Sequence, residues 1–295
     1  MKRIPIVLCC ILMSLLCGCA SAPASAQIAA TTLPVYEFTN RICKETPITV
    51  TRLVTEQVSC LHDYSLNVRQ VKAVETADLI VISGAGLEDF MADILHDADT
   101  IDASEGIELL VPEEHHHHAA EEENHEGHHH EQDPHIWLSP ANAMIMAETI
   151  CHGLTDRYPQ FADTFSSNLD TLLADLEALE SYGNQQLSTL SCREMITFHD
   201  GFAYFAEAFD LTILEAVEEE SGSEASAKEL IHLIEEVEHH KLPAIFTEIS
   251  GSVSAAGIIS RETGASSHAL DMAMAGDSYF DAMYHNINTI KEALQ

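Results

Sequence analysis

Residues 48–84 read "ITVTRLVTEQVSCLHDYSLNVRQVKAVETADLIVISG", and the alternation within this stretch decides the fold. A β-branched run at 48–54 is followed by a helix-like segment at 67–76 and then by the apolar run "DLIVISG" at 78–84. Strand, helix, strand is the unit of a parallel sheet, because parallel neighbours need a crossover long enough to hold a helix. Upstream, "QIAATT" (27–32) is strand-like and 35–45 is helix-like. Downstream the pattern returns in "EMITFH" (194–199), "LTILEAV" (211–217) and "PAIFTEI" (243–249). Two α/β lobes, each Rossmann-like with a parallel sheet, are expected.

Between the two sets lies a run with a different period. Phe161, Phe165, Leu169, Leu172, Leu173, Leu176, Leu179 and Tyr182 recur at three- and four-residue steps, which predicts one long amphipathic helix over 159–189. Such a helix is a stiff spine joining the lobes, or a packed core helix of one larger domain; periodicity does not separate the two. Helix starts are marked by Ser139 before Pro140 and by the capping box "SAKE" at 226–229. The organisation read from this is a leader at 1–18, a linker at 19–26, a first lobe at 27–158, the joining helix at 159–189 and a second lobe at 190–295.

The 295 residues carry a formal charge of −35, with 48 acidic against 13 basic side chains, which excludes nucleic acid as a natural partner. A cation suits such a surface better. The N-terminus begins with Lys2 and Arg3, continues with an apolar stretch from Ile4 to Leu16 and ends in "LCGC", the pattern of a lipoprotein export signal with Cys19 as the lipid carrier. Cleavage as an ordinary secretory signal near Ala26 is the other reading, and either one exports the protein. Cys43, Cys60, Cys151 and Cys192 remain, with no CxxC pair and with pairing that spacing does not reveal.

Residues 113–133 hold eight of the eighteen histidines and seven glutamates. Having no apolar face, this run predicts a mobile surface loop that collects metal through His115, His116, His117, His118, His125, His128, His129 and His130. A solvated loop without a role is the plainer reading. Outside it, His62 in "CLHDYSLNVRQ", His135 in "DPHIWLSP" and His199 in "ITFHDGFAYFAEAF" sit at the edges of expected strands or helices. Ligands in open α/β sheets bind beyond the carboxyl ends of strands, and His62 and His199 each follow a strand in a different lobe. With Asp271 in "HALDMAMAGDSYF", three imidazoles and one carboxylate make a tetrahedral set suited to zinc.

The stretches "HDYSLNVRQVKAVETADLIVISGAGLEDFM", "DPHIWLSP", "FHDGFAYFAEAF", "FTEISGS" and "GDSYFDAMYHNINTI" resemble, in order and over nearly the whole mature chain, the metal-binding receptor lipoproteins of bacterial zinc and manganese ABC importers, especially their ZnuA-type zinc branch. The resemblance implies two lobes joined by a rigid helix and one metal held between them by His62, His135 and His199, with Asp271 as the fourth ligand. Some zinc relatives carry a glutamate before the first histidine, where this chain has Leu61, which favours Asp271. Val68 stands where relatives usually have proline, a change expected to loosen the start of the following helix without touching a ligand. Glu248 and His268 are candidates to orient a ligand ring, His152 and His232 are further candidates, and His239 and His240 read as the polar end of a helix.

Imidazole-rich ligation favours zinc over manganese, with copper and nickel able to bind in vitro. The expected activity is capture and delivery to an ABC permease and its ATPase by a monomer lipid-anchored at the outer face of the cell membrane, with release through movement of the loop bearing Asp271. A manganese receptor is the nearer alternative. An exported zinc hydrolase using Glu248 or Glu215 as base, and a surface adhesin on the same scaffold, are the others. No nucleophile with an adjacent base is evident, so no enzymatic activity is expected.

Overall fold

The computed structural model describes residues 27–56, 58, 61, 64–111, 132–217, 226–251 and 253–295. Cys19, His62 and the eight histidines of the 113–133 run lie outside the described residues. The first sheet is built from β1 (Gln27–Ala30), β2 (Thr49–Arg52), β3 (Leu79–Ile82) and β4 (Thr100–Asp102), in the order β2-β1-β3-β4, all parallel. The second uses β5 (Glu194–Thr197), β6 (Thr212–Ala216), β7 (Ala244–Glu248) and β8 (Ser266–Leu270), in the order β6-β5-β7-β8. The two sheets thus have the same topology, and in each the direction of winding reverses between the first strand and the third. That reversal opens a crevice at the carboxyl ends of β1 and β3 in one lobe and of β5 and β7 in the other.

The expected strands are present, and β4 and β8, one edge strand of each sheet, are additional. Helices α1 (Leu33–Ile42), α2 (Val68–Thr76), α3 (Ala92–Leu95) and α4 (Pro140–Arg157) belong to the first half. α5 (Ala162–Leu187) fills the span expected for the long helix, preceded by a 3₁₀ turn at Pro159–Phe161. α6 (Ala203–Ala208), α7 (Ala227–His240), α8 (Ser254–Thr263) and α9 (Tyr279–Leu294) follow. Both marked helix starts are real caps: Ser139 Oγ accepts from Asn142 N–H, and Ser226 with Glu229 forms the reciprocal box. α2 begins at Val68 behind a reciprocal cap of Asn67 and Gln70, and the Gln70 amide also donates to Leu53 O at 2.8 Å.

α5 is packed on several sides. Its buried Phe165, Leu172, Leu176 and Leu179 belong to one apolar cluster with Phe38 of α1, Ile150 of α4, Met195 of β5 and Met283 of α9. The core therefore runs without a break from one lobe to the other. Opening the lobes widely would expose this surface at roughly 25 cal/mol per Å2, so the relative orientation of the two crevices is stiff.

Candidate metal centre

His135 is placed by the residues around it. Asp133 Oδ1 accepts both the His135 backbone N–H at 2.9 Å and a contact from Nδ1 at 2.8 Å, which locks the ring before the chain enters the 3₁₀ turn Ile136–Leu138. Trp137 in that turn is fully buried and donates its indole N–H to Met272 O at 2.8 Å, while Tyr279 Oη donates to Trp137 O at 2.8 Å. Tyr204 holds Asp133 from the other lobe, donating to its carbonyl at 3.1 Å, and burial pushes the Tyr204 phenol up to about 12. Two lobes thus fix one imidazole.

His199 lies just past β5, where Thr197 Oγ1 donates to its carbonyl at 3.0 Å. Its Nδ1 is 2.8 Å from Oε1 of Glu248, the last residue of the neighbouring β7, in an ion-pair contact. Gly201 makes room for the ring: a Cβ there would stand 2.6 Å from His199 Cδ2 and 2.6 Å from Met272 Cε. Glu248 is only 4% exposed and Asp133 6%, so neither carboxylate is well solvated and both are directed at imidazole. Burial alone would lower the His199 pKa, but Glu248, with Asp200 and Asp133 beyond it, outweighs burial and raises it.

The two rings meet in the crevice. His199 Nε2 is 3.3 Å from His135 Nε2, and the rings are nearly perpendicular at 85°. In the neutral tautomers that carry their proton on Nδ1, facing the carboxylates, both Nε2 atoms have lone pairs directed at the same space. Two facing acceptors are unfavourable unless a cation or a proton lies between them. On a tetrahedral zinc with Zn–N bonds of about 2.0–2.1 Å, two nitrogens are separated by about 3.3–3.4 Å, which is the spacing observed here.

Asp271 follows β8 and is held at its backbone by Asn286, which accepts from Asp271 N–H and donates to Asp271 O, both at 2.7 Å. Its Oδ1 accepts from Ala273 N–H at 2.8 Å, with Ala273 in the left-handed region at φ 54°. It lines a small pocket together with Glu248, Met272 and Val58. Burial raises its pKa, the Ala273 N–H opposes this, and Glu248 adds to the rise. Its carboxylate does not come within 4.8 Å of both imidazole nitrogens; the one such trio among the described residues lies elsewhere, at Glu236, His239 and His240. Leu61, before His62, is buried.

Other sequence candidates fall away from this crevice. His268 bonds Ser266 Oγ at 2.9 Å within β8, His232 bonds Glu215 Oε1 at 3.2 Å, and exposed His152 faces Asp156 at 3.7 Å. His239 and His240 end α7, as read. The residue that sequence reasoning missed is Asp133; the acid two places before His135 was its only signal.

A two-lobed α/β receptor with paired imidazoles between its lobes defines a class, the metal-binding solute-binding proteins of ABC importers. Within it, the chain belongs to the ZnuA family, "Zinc-uptake complex component A periplasmic", whose profile matches residues 28–293. It is 29% identical to the "Zinc-binding lipoprotein AdcA" of Streptococcus pneumoniae serotype 4 (strain ATCC BAA-334 / TIGR4) over 308 residues, covering 99% of this chain but 61% of that one. It is 26% identical to the "Manganese-binding lipoprotein MntA" of Halalkalibacterium halodurans (strain ATCC BAA-125 / DSM 18197 / FERM 7344 / JCM 9153 / C-125) over 245 residues, covering 79% and 77%. A crystal structure of ZnuA superposes with a TM-score of 0.77 at 29% identity, covering 92% of this chain and 100% of that one.

Proposed function

We propose that this protein captures zinc in the crevice between its lobes and hands it to the permease and ATPase of an ABC importer. The observation that carries this is the pair of Nε2 atoms 3.3 Å apart, each ring oriented by a carboxylate on its far nitrogen. His135 and His199 are the ligands this geometry supports directly, and His62 and Asp271 are the proposed third and fourth. Orienting carboxylates make the ligand nitrogens more basic and prevent the rings from turning away. Zinc fits imidazole donors better than manganese does, though a manganese-binding relative and the nearby oxygens of Glu248 and Asp271 make manganese the competitor to test.

Binding needs both imidazoles neutral, so protons compete with the cargo. Because Glu248 raises the His199 pKa, that competition reaches above the ordinary imidazole range as pH falls. The loop 271–279 is tied to the first lobe by Leu33 N–H to Met274 O at 3.2 Å, Arg52 Nη1 to Gly276 O at 2.7 Å and Tyr279 N–H to Glu37 Oε2 at 2.7 Å. Release by moving this loop has to break these bonds, which gives a permease a defined lever. Export with lipid at Cys19, lobes at 27–158 and 190–295 joined at 159–189, and a collecting role for residues 113–133 complete the reading.

The test is competitive titration of the mature protein with zinc and manganese, with and without residues 113–133. One tightly bound zinc that survives deletion of the run and resists excess manganese supports the proposal. Preference for manganese, or loss of tight binding with the run, contradicts it.

A further inference from the structure

A second group of ligand-type side chains lies on the far end of the C-terminal lobe. Glu236, His239 and His240, on the last turn of α7, have ligand atoms that all lie within 4.8 Å of one another. Their i, i+3, i+4 spacing puts the acid beside the two rings on neighbouring positions of one helix surface. His240 Nε2 is 3.5 Å from Glu236 Oε2, while its other nitrogen, Nδ1, is 3.0 Å from Glu194 Oε2 at the start of β5. That is the arrangement of a metal-ligating histidine, with one nitrogen turned to a donor cluster and the other proton held by an outer carboxylate. The His239 and His240 rings stand edge to face, 4.8 Å apart at 88°.

The helix end favours positive charge, against the one opposing charge of Lys241 beside it. α7 ends here with Lys241 in a left-handed cap, so the negative end of the helix dipole points at the cluster. His240 is 25% and Glu236 28% exposed at the side chain, open enough for an ion to keep water ligands. The place is separate from the interlobe crevice, since Glu194 opens β5 while His199 lies past its other end, and the strand Glu194–Thr197 alone spans about 10 Å. An ion in one position therefore shares no ligand with an ion in the other.

We infer that Glu236, His239 and His240, with Glu194 positioning His240, form a second and weaker site for zinc-class divalent cations on the outer surface of the C-terminal lobe. Two imidazoles and a carboxylate select borderline ions such as zinc, nickel and copper over magnesium and calcium.

The experiment is a zinc titration of the full mature chain, begun after the first equivalent has filled the tight site, followed by amide chemical shifts. Cross-peaks of residues 194 and 236–241 should move together with added zinc and stay unmoved with added magnesium. In His239→Gln/His240→Gln those shifts should disappear and total zinc at saturation should fall by one ion per chain. Glu194→Gln should raise the half-saturating zinc concentration at these peaks by about 10-fold or more. Peaks that stay still in the native chain, or a zinc count unchanged in the double variant, would overturn the inference, and would mean that these side chains only pair with one another at the helix end.

Discussion

The two lobes wind their strands in the same order, yet they use the equivalent crevice in opposite ways. In the C-terminal lobe the carboxyl ends of β5 and β7 present His199 and Glu248, with Glu248 2.8 Å from the ring and with Oε2 lacking a hydrogen-bond partner among the described residues. In the N-terminal lobe the ends of β1 and β3 are closed by a buried carboxylate instead. Glu88 accepts from Thr31 Oγ1 at 2.5 Å, Ser83 N–H at 2.8 Å and Gly84 N–H at 3.0 Å, and Thr32 and Ser83 hydroxyls bond at 2.8 Å across the same gap. Topology offers a binding place twice. Whether it becomes a site depends on whether the buried acid faces hydrogen-bond donors, which satisfy it, or an imidazole, which passes its charge on to a metal.

Substitutions that strike one crevice and spare the other sharpen this contrast. The largest effect is expected from His135→Ala or His199→Ala, each lowering zinc affinity in a competition assay by more than about 100-fold, since losing a ligand exceeds losing an outer partner. Glu248→Gln should cost about 10- to 100-fold and, by removing the charge that raises the His199 pKa, shift the pH at which zinc is lost to lower values. A profile that stays put in Glu248→Gln would mean that the carboxylate does not set the ring's basicity.

Glu88→Gln belongs to the other crevice, and zinc affinity should stay within about two-fold while stability falls by about 1–3 kcal/mol, because Ser83 N–H bonds Oε1 and Gly84 N–H bonds Oε2, and the amide replaces one of these oxygens with an NH2 that only donates. Burial pushes the Glu88 pKa from 4.5 up to about 7 against its three donors. A raised carboxyl pKa means that the folded protein holds the proton more tightly than the unfolded chain. The native contribution is thus full below about 4.5 and is lost as pH rises toward about 7. Thermal melts of the metal-free protein should therefore fall more from pH 5 to pH 8 in the native chain than in Glu88→Gln. The smallest effect is expected at Ser226→Ala, which loses an exposed helix cap worth about 1 kcal/mol and leaves both crevices intact.

Much of this architecture was legible because β-branched runs alternate with helical periods. The strands that escaped notice are those lacking that signal: β4 is three residues long, and β8 reads "SSHAL", with exposed serines at its start. His135 and His199 were legible from their places at element edges, and Glu248 as an orienting group. The contact between the two rings was not, because it depends on α5 and on the continuous core that fixes one lobe against the other. Asp133 was hidden for a related reason: an acid beside a proline and a histidine has no periodicity to mark it as buried.

Whether the two imidazoles hold the ion is read from anomalous diffraction at the zinc edge, using crystals of the mature protein grown with one equivalent of zinc. A single strong peak is expected between His135 Nε2 and His199 Nε2, about 2.0–2.1 Å from each. A strong peak elsewhere with none between these rings would contradict it.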